Sequence, residues 1–446
     1  ALAGGVALRT PTCLEKSDLA WCIAGEVPEV SADIDDRALD FALFACREAI
    51  AAARWSRALC QDPRTGLVLA TTKGSIRHAC EVLAGRVNGD RLRDFHIFAL
   101  ARSVADALAI GGPVETVSVA CASSLVATGL AARWIRSDRV DRVVVVGSDA
   151  LSDFIWRGFF SLRSLDPSGA HPYDRDRAGL AVGEGAAAIV LDGGVPHGDA
   201  FVIAGHASRN DANHITGPSR DGLGLATTIQ AALDDAALDA HAIACVAAHG
   251  TATRFNDAME GHALHRVFGD RRVPVHSIKG AVGHILGGAG ILNIILATRA
   301  LEARLLPPIA GLSSPDPEIL LHCPHDAPIA IDGDAALATA SGFAGTNAAV
   351  VVRRIQEPPE GRPRAHARQA VITACFVAPC DRAALSSHMP PSTARRLDDF
   401  CIAGLAATKL LLASSACPTA QLRETRHALV LGTALGCLES DRTYWE

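Results

Sequence analysis

Four consecutive valines fix the fold class of this chain. Residues 142–147 read Arg-Val-Val-Val-Val-Gly, and an apolar run without alternation predicts a strand that is covered on both faces. An earlier apolar run at residues 114–120 reads as a second strand, and the segment 122–135 between them has the length and composition of an apolar helix. Strand, helix and strand in this order predict a β-α-β crossover in an α/β protein.

The later part of the chain repeats this alternation. The predicted elements follow in the order strand 186–191, strand 243–248, helix 257–268, strand 273–278, helix 288–302 and strand 348–353. We therefore predict two similar βαβ-rich halves, residues 1–195 and 196–355, built on buried parallel strands. Open parallel sheets bind ligands where their strands end. The residues directly after the strands are thus the candidates for function.

The end of the chain differs in composition from the rest. Residues 356–368 are rich in Pro, Glu and Arg and predict a linker. Beyond it, residues 429–436 match residues 67–74, at a predicted strand and the glycine turn after it. We interpret residues 369–446 as an incomplete second copy of the first half, and a chance match between Ala- and Leu-rich segments is the alternative.

Charge and cysteine content narrow the function classes. The 446 residues contain 42 Lys and Arg against 48 Asp and Glu, a net charge of −6, which does not supply the basic surface that nucleic acid requires. Thirteen scattered cysteines without a C-x-x-C pair predict reduced thiols in a cytoplasmic protein. The longest stretch without charge, residues 280–298, contains His284, Asn293 and five glycines. That content predicts a buried loop and helix instead of a membrane span.

Cys121 is the candidate nucleophile. It lies in Ser-Val-Ala-Cys-Ala-Ser-Ser, where a predicted strand ends and a helix begins. A thiol at this place faces unpaired backbone N–H groups and the positive end of the helix dipole, and both are expected to lower its pKa. The small neighbours leave room for a sharp turn and a substrate carbonyl. A buried, inert cysteine is the alternative, and it is our interpretation of the other twelve.

Two histidines occupy corresponding places in the later half. His249 directly follows the strand that ends at Ala248, and His284 follows the strand that ends at Ile278. Each alone is more typical of a structural or surface histidine. Together with a nucleophile they indicate a catalytic group. A zinc site is disfavoured because no H-E-x-x-H spacing occurs.

Two small-residue segments complete the set. Residues 341–347, Ser-Gly-Phe-Ala-Gly-Thr-Asn, form a turn that can direct a backbone N–H at an oxyanion, with Phe343 as an apolar lid. Residues 171–179 contain Asp-Arg-Asp-Arg and precede Gly-Glu-Gly at residues 183–185. Taken alone, the first would be an ordinary glycine turn and the second a solvated ion-pair loop.

Together these motifs resemble the β-ketoacyl synthases of the thiolase superfamily, the condensing enzymes of fatty acid and polyketide synthesis. Five motifs occur in that family's order over about residues 1–355. They are the Ala-Cys-Ala-Ser-Ser around Cys121, the Asp-Arg-Asp-Arg and Gly-Glu-Gly run, His249-Gly-Thr with Asn256, Asp257 and Glu260, Lys279 with His284, and Gly-Phe-Ala-Gly-Thr-Asn. Two features depart from the family's pattern. Ala344 replaces the more common glycine, and the family's first strand with its glycine turn is missing or degenerate at the amino end. The segment Thr71–Gly74 is similar in sequence to a segment of synthases from aryl polyene pathways.

The resemblance implies a layered α-β-α-β-α fold and a decarboxylative Claisen condensation. Cys121 would take an acyl group from a carrier-protein thioester. His249 and His284, as neutral N–H donors, would stabilise the enolate formed when malonyl loses carbon dioxide. Lys279 and Glu260 would form a buried ion pair near His284. The product would be a β-ketoacyl-carrier protein.

The resemblance also assigns supporting roles and partners. The backbone N–H groups of Cys121 and Phe343 would form the oxyanion hole, and Phe343 would also gate the acyl pocket. Thr251 and Thr253 would bind the pantetheine arm, and Asp257 and Asn347 would be structural loop residues. No bound metal or other cofactor is expected, since phosphopantetheine arrives on the carrier. The expected partners are acyl carrier protein and a second subunit, in a homodimer or in a heterodimer with a synthase-like protein.

Two other functions stay open at this point. The chain could be a non-elongating subunit that sets chain length for another synthase, although such subunits lack the nucleophile that Cys121 supplies. It could also be a thiolase-like acyltransferase or a Cys-His hydrolase. The two histidines disfavour both, because a thiolase uses a second cysteine as base and a hydrolase needs one histidine with an orienting group.

Overall fold

The structure is a computed structural model, and it describes residues 6–14, 23–27, 36–76, 80, 97–194 and 200–355. All of them fall within the first of the two units into which the chain divides, Ala1–Arg362. The predicted linker and the predicted incomplete repeat lie outside the described residues.

The first half is a four-stranded sheet with its helices. The strands of this half are β1 Leu8–Arg9, β2 Ala24–Gly25, β3 Thr65–Ala70, β4 Val114–Val117, β5 Arg142–Asp149 and β6 Gly185–Asp192. The last four of them form the sheet. Its helices are α1 Arg37–Ala52, α2 Arg57–Gln61, α3 Ile97–Leu108, α4 Ser123–Arg136 and α5 Asp153–Ser161. The sheet has the order β4-β3-β5-β6, and β1 pairs with β2 separately. The predicted crossover therefore passes over β3, which pairs in parallel with both β4 and β5.

The second half is a five-stranded sheet with its helices. In chain order its elements are β7 Ala200–Asn210, α6 Leu223–Ala236, β8 Ile243–Ala247, α7 Arg254–Phe268, β9 Val275–His276, α8 Lys279–Val282, α9 Ala289–Ala303, β10 Leu305–Leu306, β11 Ile329–Ala330, β12 Ala335–Ser341 and β13 Thr346–Ile355. Single 3-10 turns lie at Ala240–Ala242, Leu286–Gly288 and Phe343–Gly345. The sheet has the order β7-β13-β12-β8-β9.

Alternate side chains of β5 show how the layers form. Val144 and Val146 pack against α1 and α3 on one face of the first sheet. Val143 and Val145 pack against α4 and α9 on the other face. Helix α9 also covers the near face of the second sheet, and α6 and α7 cover its far face. The result is five layers in the order α-β-α-β-α, with α4 and α9 buried between the two sheets.

The strand directions differ from the prediction in one respect. Both sheets are mixed, because β6 runs antiparallel to β5, and β13 runs antiparallel to both β12 and β7. The turn between β12 and β13 is too short for a parallel crossover, so this pair must form a hairpin. The predicted parallel strands are therefore present in both sheets, but they are joined by antiparallel strands that the sequence did not predict. Two predicted strands are also shorter than expected: β4 ends at Val117 instead of residue 120, and β9 covers only Val275–His276.

Within the part of the chain that the structure describes, one helical stretch is long and apolar enough to cross a membrane by length and composition alone. It runs from Leu286 to Ala303, and 67% of it is buried within the protein. The buried part includes the surface that α9 presents to the two sheets. It therefore has the packing of an internal core helix, as the sequence predicted for residues 280–298.

A buried ion pair joins the amino-terminal part of the first half to its carboxyl-terminal part. The Arg37 guanidinium and the Glu184 carboxylate pair with side-chain exposures of 1% and 0%. Glu184 also accepts hydrogen bonds from the backbone N–H groups of Val27 and Leu151, at 3.1 and 3.0 Å. Four separate segments thus meet at one carboxylate.

We expect Arg37→Met to destabilise the protein by about 3 to 5 kcal/mol, because it leaves the Glu184 charge buried without its partner. Urea denaturation followed by tryptophan fluorescence measures the loss. The control is Arg299→Met, which breaks an exposed pair with Glu302 and should cost less than about 1 kcal/mol. Equal losses in both variants would contradict this account of the ion pair.

Candidate active site

A sharp turn between β4 and α4 presents the Cys121 thiol. Strand β4 stops at Val117, and Ala120 adopts a positive φ of 51° before the helix begins at Ser123. The Ser123 hydroxyl fixes this turn, since it accepts from the Val119 N–H at 2.9 Å and donates to the Ala120 carbonyl at 2.6 Å. The sulfur therefore stands just before the helix, where the sequence placed it.

The Cys121 thiol is neutral in its resting environment. The residue is 7% exposed, and burial raises the pKa of the thiol to about 12, against the lowering effects of the Lys279 charge and the thiol's own backbone N–H. The expectation that the helix terminus lowers the thiol pKa was therefore wrong in its net direction. Desolvation of the charged form outweighs the local dipole at a site this deeply buried.

Both predicted histidines lie beside the Cys121 sulfur, and His284 contacts it. His284 Nε2 lies 2.9 Å from Cys121 Sγ, and the His249 and His284 rings meet edge to face with centroids 5.3 Å apart. One nitrogen from each ring and the sulfur all lie within 4.8 Å of one another. The structure thus brings together residues from the ends of three different strands and loops.

Backbone pairing fixes the loop that carries His284. The His284 N–H donates to the Ala181 carbonyl at 2.7 Å, and the Gly183 N–H donates to the His284 carbonyl at 2.9 Å. A Cβ at Gly183 would lie 2.5 Å from the Val282 carbonyl oxygen, so only glycine allows this approach. The Gly-Glu-Gly motif of the sequence is the segment that holds this loop.

Burial keeps both imidazoles neutral. It lowers the pKa of His249 and of His284 well below the ordinary value, and the positive charge of Lys279 adds to the effect. The Lys279 ammonium lies 3.4 Å from His249 Nδ1. Because an ammonium can only donate, His249 Nδ1 accepts and its proton belongs on Nε2. His249 therefore offers an N–H on the side away from Lys279.

Lys279 and Glu260 act on His249 from two sides instead of pairing with each other near His284. Within the described residues no direct ion pair joins them. The Lys279 ammonium donates to the His249 carbonyl, while Glu260 accepts from the N–H groups of His249 and Gly250 at 2.7 and 2.6 Å. The predicted ion pair is wrong in its geometry, although each charge still favours the charged form of the other. Burial lowers the pKa of Lys279 to about 8.

The remaining predicted residues surround this group. The hydroxyl groups of Thr251 and Thr253 lie 2.9 Å apart in a hydrogen bond with each other. Asp257 accepts from the Tyr173 N–H at 2.9 Å, and burial raises its pKa to about 7. Asn347 bonds to Ser341 and to the Gly345 carbonyl across the base of the β12–β13 turn. These contacts suit loop-fixing roles for Asp257 and Asn347.

The turn that carries Phe343 lies against the nucleophile. A Cβ at Gly342 would be 3.0 Å from the Val119 carbonyl oxygen and 3.4 Å from the Cys121 nitrogen. The Phe343 ring packs on Phe159 with centroids 5.9 Å apart. Ala344 adopts φ 62°, a region that favours glycine. This position is where the sequence departs from the family's pattern, and alanine takes the glycine conformation.

The Asp-Arg-Asp-Arg segment is partly buried, not a solvated ion-pair loop. Asp174 accepts from the N–H groups of Ser313 and Ser314, both at 2.9 Å. Arg177 lies 2.6 Å from Asp316 and is 5% exposed. Sequence reasoning also missed Tyr173, whose hydroxyl donates to Glu260 at 3.1 Å.

Cys121, His249 and His284 also satisfy the spacing of a metal site. The buried ammonium of Lys279, 3.4 Å from His249 Nδ1, opposes a second positive charge at this place. The absence of a metal from the reaction stays a prediction.

Two family models cover most of the chain. The model "Beta-ketoacyl synthase, N-terminal domain" matches residues 3–194, and "Beta-ketoacyl synthase, C-terminal domain" matches residues 200–313. The chain belongs to the β-ketoacyl synthase family. The resemblance stated from the motifs is confirmed, and the family is one of condensing enzymes, which are acyl transferases.

Two of the curated relatives in this family have names that refer to polyketide synthesis. The tetracenomycin polyketide synthase ketoacyl synthase alpha subunit of Streptomyces glaucescens is 32% identical over 80% of this chain and 92% of its own length. A putative polyketide beta-ketoacyl synthase 1 of Streptomyces halstedii is 35% identical over 71% of this chain and 82% of its own length. Among solved structures, the ishigamide ketosynthase/chain length factor matches with a TM-score of 0.72 at 28% identity, over 79% of this chain and 93% of that one. The thiolase-like fold of the β-ketoacyl synthases is therefore confirmed.

We expect Lys279→Met to slow alkylation of Cys121 by iodoacetamide at pH 7, where Lys279 is charged, by about three- to tenfold. Loss of the buried positive charge raises the thiol pKa, so a smaller fraction is thiolate. Mass spectrometry of the peptide that contains Cys121 measures the rate apart from the other cysteines. Arg299→Met, which removes an exposed charge, serves as the control and should react like the parent protein. An unchanged or faster rate in Lys279→Met would show that the ammonium does not act on the sulfur.

Proposed function

We propose that this chain is the acyl-elongating condensing subunit of a polyketide or fatty acid pathway, joining an acyl group on Cys121 to a malonyl unit on acyl carrier protein. The observation that carries the proposal is the 2.9 Å contact between Cys121 Sγ and His284 Nε2 in a buried site. A subunit that only shapes a pocket needs no nucleophile in contact with a base. The relatives named above are polyketide synthases, which supports condensation in polyketide synthesis.

The first half-reaction is transfer of the acyl group. Cys121 Sγ attacks the carbonyl of an acyl-carrier thioester, and its proton passes to Nε2 of the neutral His284 and then to the departing pantetheine sulfur. Because burial raises the pKa of the thiol, the proton has to leave as the sulfur attacks. Backbone N–H groups at Cys121 and Phe343 would hold the oxyanion, and the closeness of Gly342 to the Cys121 nitrogen supports this placement.

The second half-reaction is decarboxylation followed by carbon–carbon bond formation. After it has passed on the thiol proton, neutral His284 carries its proton on Nδ1 and changes tautomer before it donates from Nε2. As malonyl loses carbon dioxide, the Nε2 N–H groups of His249 and His284 would then hold the enolate oxygen. The enolate carbon attacks the acyl thioester, the bond to sulfur breaks, and Sγ leaves as a thiolate that takes a proton from water. A neutral imidazole serves this role because it donates a hydrogen bond without protonating the carbanion. Burial and Lys279 together keep the imidazoles in that form.

The carrier and the supporting residues complete the scheme. Phosphopantetheine on acyl carrier protein is the only prosthetic group that it uses. Thr251 and Thr253 would bind the pantetheine arm by exchanging their mutual hydrogen bond for bonds to its amides. Phe343 would gate the acyl pocket through its contact with Phe159. We propose cytoplasmic synthesis by a homodimer or by a heterodimer with a synthase-like subunit.

The second candidate function is that of the non-elongating chain-length subunit. The ishigamide structure contains a ketosynthase together with a chain length factor, so the fold alone is compatible with either role. Acylation of the sulfur separates the two, because only the elongating subunit carries the growing chain.

We expect Cys121→Ala to abolish condensation while malonyl-carrier decarboxylation continues, and His284→Ala to reduce decarboxylation by about a hundredfold. Removal of the sulfur leaves both N–H donors in place, whereas removal of the imidazole takes one away. Carbon dioxide release and product formation are measured with acyl- and malonyl-carrier protein. Cys60→Ala, a buried thiol in α2, is the control and should retain both activities.

Intact-mass spectrometry after incubation with acyl-carrier protein tests the alternative. An acyl adduct on the parent and Cys60→Ala proteins, but not on Cys121→Ala, supports elongation. A chain that stays bare under all conditions would support the non-elongating role, and elongation by Cys121→Ala would refute the choice of nucleophile.

A further inference from the structure

A buried carboxylate at the end of β5 has no part in the reaction described so far. Asp149 is the last residue of that strand and is 1% exposed. Its oxygens accept one hydroxyl and at least two backbone N–H groups. The donors are Thr71 Oγ1 at 2.8 Å, the Thr72 nitrogen at 3.0 Å and the Gly287 nitrogen at 2.7 Å, with the Lys73 nitrogen at 3.4 Å.

These bonds connect two segments that flank the reacting sulfur. Thr71, Thr72 and Lys73 form the turn directly after β3, and the Ser118 hydroxyl, near Cys121 in sequence, donates to the Thr72 carbonyl at 3.4 Å. Gly287 is the third residue after His284. Asp149 thus joins the strand ends of the first half to the His284 loop of the second half.

The His284 loop needs this support because its backbone is strained. Leu286 adopts φ 48°, which costs an ordinary side chain about 1 to 2 kcal/mol. Gly287 follows it without space for a side chain, since a Cβ there would lie 2.8 Å from Asp149 Oδ2 and 2.9 Å from Thr71 Cα. The hydrogen bond from Gly287 to Asp149 therefore holds a conformation that the loop would otherwise leave.

The donor set indicates that Asp149 is ionised. Each of its hydrogen-bond partners donates, which matches a carboxylate and leaves no acceptor for a protonated oxygen. Burial raises the pKa of Asp149, and the Gly287, Thr71 and Thr72 donors act against that rise. The negative charge raises the pKa of the Cys121 thiol, whereas Lys279 lowers it. Two buried charges of opposite sign therefore act on one sulfur.

We propose that Asp149 is a positioning residue of the condensing site: its carboxylate holds the His284 loop against the turn after β3 and offsets the positive charge of Lys279 at Cys121. The proposal rests on the proposed function, since it assigns a second group that sets the Cys121–His284 contact. It concerns the resting enzyme, so it is testable without turnover.

The test compares Asp149→Asn with the parent protein by two alkylating agents. Iodoacetate is negatively charged and iodoacetamide is neutral, and they react with the same sulfur. Removing a nearby negative charge should raise the iodoacetate to iodoacetamide rate ratio at Cys121 by about threefold or more. General loosening of the structure would raise both rates alike and leave the ratio unchanged. The rates are measured on the Cys121 peptide by mass spectrometry.

The same variant should transfer acyl groups more slowly although its thiol is easier to ionise. Gly287 donates to one carboxylate oxygen of Asp149 and the Thr71 hydroxyl donates to the other. An Asn side chain has a single acceptor oxygen, so one of these two attachments is lost. We expect kcat/KM for acylation to fall by about tenfold. Asp149→Ser, which is smaller and leaves room for water, provides the same charge removal should Asp149→Asn fail to fold.

Asp174→Asn is the matched control. Asp174 is likewise a buried carboxylate that accepts backbone N–H groups, from Ser313 and Ser314. The charged residues that shift the pKa of the Cys121 thiol are Lys279 and Asp149. Asp174→Asn should lose stability without changing the rate ratio. An unchanged ratio in both Asp149 variants, or an equal change in Asp174→Asn, overturns the proposal. A parent protein without condensing activity would refute the proposed function, yet the ratio would still test Asp149.

Discussion

The buried ammonium of Lys279 is the charge on which the chemistry of this site depends. It is 1% exposed, and it acts on Cys121, His249 and His284 together. The same charge lowers the pKa of the thiol and of both imidazoles. A site without it would bind a proton on an imidazole more readily and would form a thiolate less readily. One cation therefore favours the thiolate form of Cys121 and the neutral forms of His249 and His284, which are the forms that the proposed reaction uses.

Three buried carboxylates hold the loops of the site in place. Glu260 holds the turn at His249, Asp149 holds the turn after His284, and Glu184 holds the segment that pairs with His284. Each accepts backbone N–H groups from chain segments that are distant in sequence. A carboxylate with several such donors orders loops that lack regular secondary structure. The active site is thus built from loops, and its rigidity comes from charges placed at their bases.

The sequence was most informative where chemistry is local. The valine run of β5, the strand-to-helix position of Cys121 and the strand-end positions of His249 and His284 all follow from short segments. The sequence did not predict the features that depend on tertiary burial. The sign of the thiol pKa change, the absence of a direct Lys279–Glu260 pair and the antiparallel strands β6 and β13 each require contacts between remote segments. Asp149 had a signal, since it is a charged residue that ends an apolar strand, and the rule that strand ends carry function would have found it.

A neutral thiol next to a neutral imidazole is a consistent resting state for such an enzyme. Thiolates react with oxidants and with adventitious electrophiles, so a sulfur that stays protonated until a thioester arrives avoids those side reactions. The cost is that the proton must leave during acyl transfer, and His284 Nε2, 2.9 Å away, is placed to take it. Lys279 lowers the pKa of this thiol and Asp149 raises it, although burial remains the larger effect. Deep burial, which by itself would suppress the nucleophile, becomes compatible with catalysis only because a base and a cation are buried with it.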